Sequence, residues 1–223
     1  NIDEDIDIDD MKDGVLVGGR VVRDVRFADD QGMVASSNEG LQEIMNKLND
    51  KAKEFSMKIN VQKTKTMVVS YKVGGDRPKA DIVIDGQRIE QVKCFKYLGS
   101  NITEDGRSFT DVKSRIALAK EAFNKRKDLL TKGLSKALRK RMVKILVWPV
   151  VLYGCETWTL LEEEIDRLQA FEMWLWRRLE KISCLAKISN QEVLKRVDER
   201  RCLMRTIWQR KKNWIGHVLR GDG

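Results

Sequence analysis

Phe27-Ala28-Asp29-Asp30 lies between two apolar runs, residues 25–27 and residues 33–35. Apolar runs on either side of a short polar stretch spell a β-hairpin, here with two carboxylates at its tip. Adjacent carboxylates held by flanking strands place oxygen ligands at one fixed point, the donor type that magnesium prefers. Nucleotidyl transfer needs such a point, because two cations about 3.5–4 Å apart steady the attacking and leaving oxygens. The same dipeptide also marks an ordinary turn, so the segments around it have to decide between the two.

Upstream, residues 14–22 read as a first hairpin, two short apolar runs about Gly18-Gly19. Downstream, Ser37 or Asn38 caps a helix that carries Leu41, Ile44, Met45, Leu48, Ala52 and Phe55 on one face and breaks near Asn60. Residues 66–71 read as a strand and 74–79 as a loop containing Pro78. Residues 81–84 and 87–92 form a hairpin about Asp85-Gly86, and 94–98 a further strand. Residues 14–103 therefore predict an α+β unit of strands with one packed helix. The texture changes between residues 103 and 109. Val112, Ile116, Ala119, Phe123 and Leu130 then mark a helix, and Ser135 caps a second that runs to Pro149. Glu162-Glu163-Glu164 open a third that continues to Ile182, acids being favourable at a helix N-terminus. Asn190 caps a fourth, and residues 199–214 read as a fifth.

Charge separates the two halves. The 223 residues hold 43 Lys and Arg against 34 Asp and Glu, a formal net charge of +9. Residues 1–30 carry ten acids and four bases, so the remainder carries +15. A basic body favours a polyanion through counterion release. Lys136, Arg139, Lys140, Arg141 and Lys144 are the densest cluster, a nucleic-acid surface or a solvated helix face. No run nears the roughly 18 apolar residues of a membrane helix, and an acidic opening is the opposite of a signal peptide's basic start, which predicts an intracellular protein with no membrane partner. Cys94, Cys155, Cys184 and Cys202 show no CxxC spacing, and His217 is the one histidine, so no zinc cage is spelled out and buried reduced thiols are expected. Trp148, Trp158, Trp174, Trp176, Trp208 and Trp214 lie in helical segments and are expected to anchor packing.

Further boxes follow in order. Asn60 precedes Lys63-Thr64, and Tyr97-Leu98-Gly99 closes the α+β half. The helical half carries Leu152-Tyr153-Gly154-Cys155-Glu156-Thr157-Trp158 and Trp214-Ile215-Gly216-His217-Val218-Leu219-Arg220. With Gly18-Gly19-Arg20 and Phe27-Ala28-Asp29-Asp30, these resemble the reverse transcriptases of non-LTR (LINE-type) retrotransposons, the endonuclease–reverse transcriptase proteins. The resemblance spans all but about the first dozen residues and the last three, and corresponds to the C-terminal half of the polymerase region.

The resemblance implies roles and boundaries. Residues 1–13 would be an acidic leader, 14–103 a partial polymerase palm, 104–183 a helical thumb and 184–223 basic C-terminal helices. Asp29 and Asp30 would be the palm's Mg2+ pair, with Asp29 the direct ligand. Lys63 would stand near the departing pyrophosphate as a general acid or electrostatic stabiliser, its alternative being a solvated lysine beside a turn. Tyr97, Leu98 and Gly99 would form a primer-grip-like hairpin, with Tyr97 alternatively a core residue. The partners would be an RNA template, a DNA primer and deoxynucleotides, and the location the nucleus and cytoplasmic ribonucleoprotein. In that family a third carboxylate and a glycine-containing segment lie upstream of the aromatic-Asp-Asp box, and 26 residues precede Phe27 here. Asp3, Asp5, Asp7 and Asp9 alternate but lack the apolar and aromatic neighbours of the missing box. The two-metal centre is therefore expected to be incomplete, and the chain inactive alone. The alternatives are a non-catalytic binder of RNA or RNA–DNA hybrid, and an inert transposon remnant.

Overall fold

The protein's structure, a computed structural model, describes residues 13–17, 19–70, 78–183 and 185–220. Most of the acidic leader, Gly18 of the first hairpin, Tyr71, the first part of the 74–79 loop, and Cys184 lie outside the described residues. The chain divides into two compact units, Asn1–Gly106 and Arg107–Gly223. The first is α+β and the second helical.

In the first unit, β1 (Val15–Val17) pairs with β2 (Arg20–Val22), and β3 (Asp24–Phe27) with β4 (Asp30–Met33), both antiparallel. Helix α1 (Asn38–Glu54) starts where the Ser37 hydroxyl accepts from the Gly40 N–H. Asp13 reinforces that start, its carboxylate accepting from the backbone N–H groups of Ser36 (3.0 Å) and Ser37 (3.2 Å) and from both hydroxyls. Those serines hold the Asp13 carboxyl below the usual carboxylate range. Gly40 makes the approach possible, because a Cβ there would fall on the Asp13 carboxylate. The helix ends six residues before the expected break. Ser56 takes a left-handed φ of 57°, Met57 N–H donates to the Ala52 carbonyl, and Ser56 N–H donates to Lys53, a Schellman closure.

One face of α1 buries Ile44, Met45 and Ala52. Met45 packs against Ile82, Ile84 and Ile89 from β6 (Val83–Ile84), β7 (Gln87–Arg88) and the residues that flank them. The Gln42 side chain accepts from the Val83 N–H (2.8 Å) and donates to its carbonyl (2.7 Å), satisfying β6 where a strand would. Asp85 and Gly86 both have positive φ, 48° and 75°, the two-residue turn that matches strand twist. The strand expected at 66–71 is described only at β5 (Lys65–Thr66), parallel to β8 (Glu90–Gln91). Strand β9 (Cys94–Tyr97) turns at Leu98-Gly99 into β10 (Ser100–Thr103), a partner strand not separately read from sequence. Each of the five sheets among the described residues has two strands.

The helical unit has α2 (Phe109–Lys125), α3 (Lys127–Thr131), α4 (Lys136–Leu146), α5 (Trp148–Val151), α6 (Glu162–Leu179), α7 (Asn190–Val197) and α8 (Leu203–Arg220). Pro149 does not end the second helix as expected; it sits in the first turn of α5, where its missing N–H costs nothing. Ser189 rather than Asn190 caps α7, accepting from the Glu192 N–H. Helix α6 is central and buries Leu168, Phe171, Met173, Leu175, Trp176 and Leu179. Its start follows the expected acids: Glu164 accepts from the Leu161 N–H at 3.0 Å. Phe123 of α2, Leu130, Val143, Val147, Val151, Trp158, Val193, Val197, Leu203 and Ile207 complete one continuous core.

Helix α8 begins four residues later than expected, because its cap comes from another helix. Glu172, 2% exposed on α6, accepts from the N–H groups of Cys202 (2.9 Å) and Leu203 (3.2 Å). A carboxylate at a helix N-terminus satisfies donors that have no partner within the helix and is favoured by the helix dipole.

Candidate functional site

Asp29 lies in the turn of the β3–β4 hairpin, and Asp30 opens β4 opposite Phe27. Ala28 takes a left-handed φ of 53°, a strained conformation for a residue with a Cβ. Such strain turns the chain through a two-residue loop and brings both carboxylates to the tip. Phe27 is 64% exposed, and Asp29 and Asp30 are exposed. The aromatic and acidic side chains of the box thus all reach solvent.

The Tyr97-Leu98-Gly99 hairpin stands beside this one. Tyr97, half-buried, donates its hydroxyl to the Val25 carbonyl at 3.1 Å. Its ring tip lies 4.0 Å from a Cβ built at Gly32. The two motifs therefore meet through one side chain, with Tyr97 contacting both strands of the Asp29-Asp30 hairpin. Leu98 (φ 46°) and Gly99 (φ 85°) are both left-handed, so Leu98 is a second strained position. Lys63 projects from a separate loop. Asn60 accepts from the Lys63 N–H through its side chain (3.1 Å), and the Thr64 hydroxyl donates to the Asn60 carbonyl (2.9 Å). This explains the Asn-x-x-Lys-Thr spacing as turn chemistry. The Lys63 side chain is exposed and makes no ion pair among the described residues. No bond joins it to Asp29 or Asp30.

The carboxylate oxygens of Asp29 and Asp30 match magnesium in donor type, but two carboxylates do not make up a two-cation centre. Among the described residues no group of three or more His, Cys, Asp or Glu side chains could hold a metal ion.

Four of the five cations on α4 reach acceptors within the unit, Arg139 and Lys140 from half-buried positions and Lys136 and Lys144 from exposed ones. Lys136 donates to the Arg196 carbonyl (2.6 Å), Arg139 to that of Leu179 (2.9 Å) and Lys140 to that of Asp198 (2.8 Å). Lys144 donates to the Glu199 carboxylate (2.8 Å). The three carbonyls lie at the C-terminal ends of α6 and α7, where unpaired carbonyls and the helix dipole attract cations. Three of the five residues expected to face nucleic acid thus close helix ends within the unit, and Lys144 makes an ion pair. Arg141 is the exception, exposed and without an ion pair among the described residues.

Other expectations divide. Cys155 and Cys202 are free thiols. Burial, with a neighbouring carboxylate, pushes Cys155 up to about 11 and Cys202 to about 12, which leaves both unreactive. Cys94 is exposed on β9 rather than buried, because its two-stranded sheet leaves that face uncovered. Trp148, Trp158 and Trp176 are buried, and Trp174 packs edge-on to Phe123 at 5.5 Å. Trp208 and Trp214 are exposed instead. No helix among the described residues is long and apolar enough to cross a membrane.

Comparison with known proteins bears on the hairpins. Residues 19–102 match the family model described as Reverse transcriptase (RNA-dependent DNA polymerase). That segment holds Asp29, Asp30, Lys63, Tyr97, Leu98 and Gly99. A transposon-derived protein of Caenorhabditis elegans, itself uncharacterised, is 26% identical over 211 residues, spanning 92% of this chain and 74% of its own length. No solved structure matches the chain. The chain is thus reverse-transcriptase-like over its α+β unit, and similar to a transposon-derived protein over nearly all its length.

Proposed function

We propose that the chain is part of an RNA-directed DNA polymerase of a non-LTR retrotransposon, with half of a palm metal site followed by a helical thumb that holds template and primer. The observation that carries this reading is the strained β3–β4 hairpin, which presents Asp29 and Asp30 to solvent inside the segment similar to reverse transcriptases. Asp29 and Asp30 would hold Mg2+, which when bound stabilises charge on the oxygens of the transferring phosphoryl group. Tyr97 holds the β3 backbone beside the Tyr97-Leu98-Gly99 turn and so sets where a primer end would lie relative to the carboxylates. Lys63, on its Asn60-closed turn, would stabilise charge on the departing pyrophosphate. Asp29 and Asp30 alone would leave a second cation under-coordinated, so no polymerisation by the 223 residues alone is expected.

The helical half carries the electrostatic part of the function. Residues 107–223 hold 27 Lys and Arg against 14 Asp and Glu, which supports phosphate contacts that position a duplex without reading its sequence. The test is equilibrium binding of the chain to an RNA–DNA hybrid across a range of salt concentrations. Affinity is expected to fall steeply with salt and to vary little with sequence. Absence of binding to any nucleic acid at low salt would overturn the reading. The lack of a group of three or more metal-ligating side chains among the described residues favours a second reading, a binding module for RNA or RNA–DNA hybrid without chemistry. It predicts the same binding curve, and no dependence on magnesium or on Asp29.

A further inference from the structure

Helix α8 is distinguished by its charge and by what it leaves uncovered. Leu203–Arg220 contains five Lys and Arg and no Asp or Glu. Leu203 and Ile207 face the core. Arg210 pairs with the Glu156 carboxylate at 2.8 Å, and Lys211 donates to the Glu156 and Trp158 carbonyls. These side chains fix one face of the helix. Arg205, Trp208 and Lys212 are spaced i, i+3 and i+7, so they share another face, about 10 Å from end to end. All three are exposed. Arg205 and Lys212 make no ion pair or hydrogen bond, and Trp208, 49% exposed, packs on no ring or cation, among the described residues.

We propose that this stripe is a binding site for single-stranded nucleic acid, with Trp208 stacking on a base while Arg205 and Lys212 neutralise phosphates on either side. The assignment rests on the nucleic-acid reading above and moves the contact from α4, where carbonyls engage Lys136, Arg139 and Lys140 and Glu199 engages Lys144, to α8. Three features select the ligand. Helix α8 has no acid, and Arg205 and Lys212 are exposed cations with no ion pair among the described residues, which makes the stripe complementary to a polyanion. A half-exposed indole between two exposed cations matches the alternation of base and phosphate along a strand. Trp208 is 49% exposed and packs on no ring or cation among the described residues, which leaves part of its indole open to an unpaired base.

The test is fluorescence anisotropy of labelled oligo(U) and oligo(dT), titrated with the full chain at several salt concentrations. Lipid vesicles containing phosphatidylserine form a second arm, because Ile215 and Leu219 continue the same stripe as exposed apolar residues. Trp208→Ala is expected to weaken oligonucleotide binding about tenfold or more, and Trp208→Phe to retain most of it. Arg205→Ala with Lys212→Ala is expected to reduce the slope of log K against log salt by about 1.4, from about 0.7 per phosphate. Far-UV circular dichroism should not change; Arg205 and Lys212 are exposed, so thermal unfolding of the double variant should not change either, and Trp208→Phe controls for the half of the indole that is covered. Binding by the variants that equals the unmodified chain's would overturn the α8 site and leave the hybrid-binding reading standing. Failure of the unmodified chain to bind any nucleic acid would overturn both. Binding to the vesicles without binding to oligonucleotide would make α8 a lipid-facing helix and overturn the proposal.

Discussion

Trp176→Ala is expected to lower the unfolding free energy of the helical unit by about 3–5 kcal/mol, the range for emptying a buried aromatic site. Trp176 lies on α6, is 0% exposed, and belongs to the largest cluster of buried side chains. Around it is a continuous core drawn from several helices, so the cavity cannot collapse fully and its lining loses contacts outright. Its indole N–H has no hydrogen-bond partner among the described residues, so the site is occupied for shape rather than polarity. Trp176→Phe should therefore cost much less, because it removes an unsatisfied donor together with part of the volume. Urea denaturation followed by circular dichroism measures both. A loss below about 1 kcal/mol for the alanine variant, outside the range typical of such sites, would mean that α6 is not the centre of the unit.

Glu172→Ala has the second-largest expected effect. The carboxylate is buried on α6 and closes the N-terminus of α8 through the Cys202 and Leu203 N–H groups. Truncation leaves the buried Leu203 N–H and the part-buried Cys202 N–H unpaired; a fully buried donor costs about 1–3 kcal/mol and the half-wet one less, so a loss of about 2–4 kcal/mol is expected. Glu172→Gln keeps an acceptor and should cost about half as much or less. Hydrogen exchange locates the damage, with faster exchange expected over the first turns of α8 and little change in α2. The Cys202 thiol reports independently. Burial and then the Glu172 carboxylate push it up, so in Glu172→Ala it should ionise at lower pH and alkylate faster. Unchanged exchange in α8 would show that the helix starts without this cap.

How far these features can be read from sequence depends on the range of the interactions behind them. The Asp85-Gly86 turn, the Ser37 cap and the acids at the start of α6 act within four residues, and the sequence spells each one. The start of α8 cannot be read locally, because its cap is a glutamate 30 residues upstream. The cluster of cations on α4 is plain in the sequence, but their direction is not, since the carbonyls they reach belong to residues 40 to 60 positions away. The acid-free α8 is a local signal, but it could not be weighed until Leu203 and Ile207 showed which face is covered. Phe27-Ala28-Asp29-Asp30 marks the hairpin, and only coordinates reveal that Tyr97 binds β3 beside it.

The β3–β4 hairpin is proposed to present half of a polymerase metal site, and template-directed primer extension by the purified 223-residue chain, with magnesium and all four deoxynucleotides, puts that to the test. No extension is expected, with the Asp29→Ala variant indistinguishable from the unmodified chain. Extension that Asp29→Ala abolishes would contradict it, because the chain would then have to supply the remaining ligands itself.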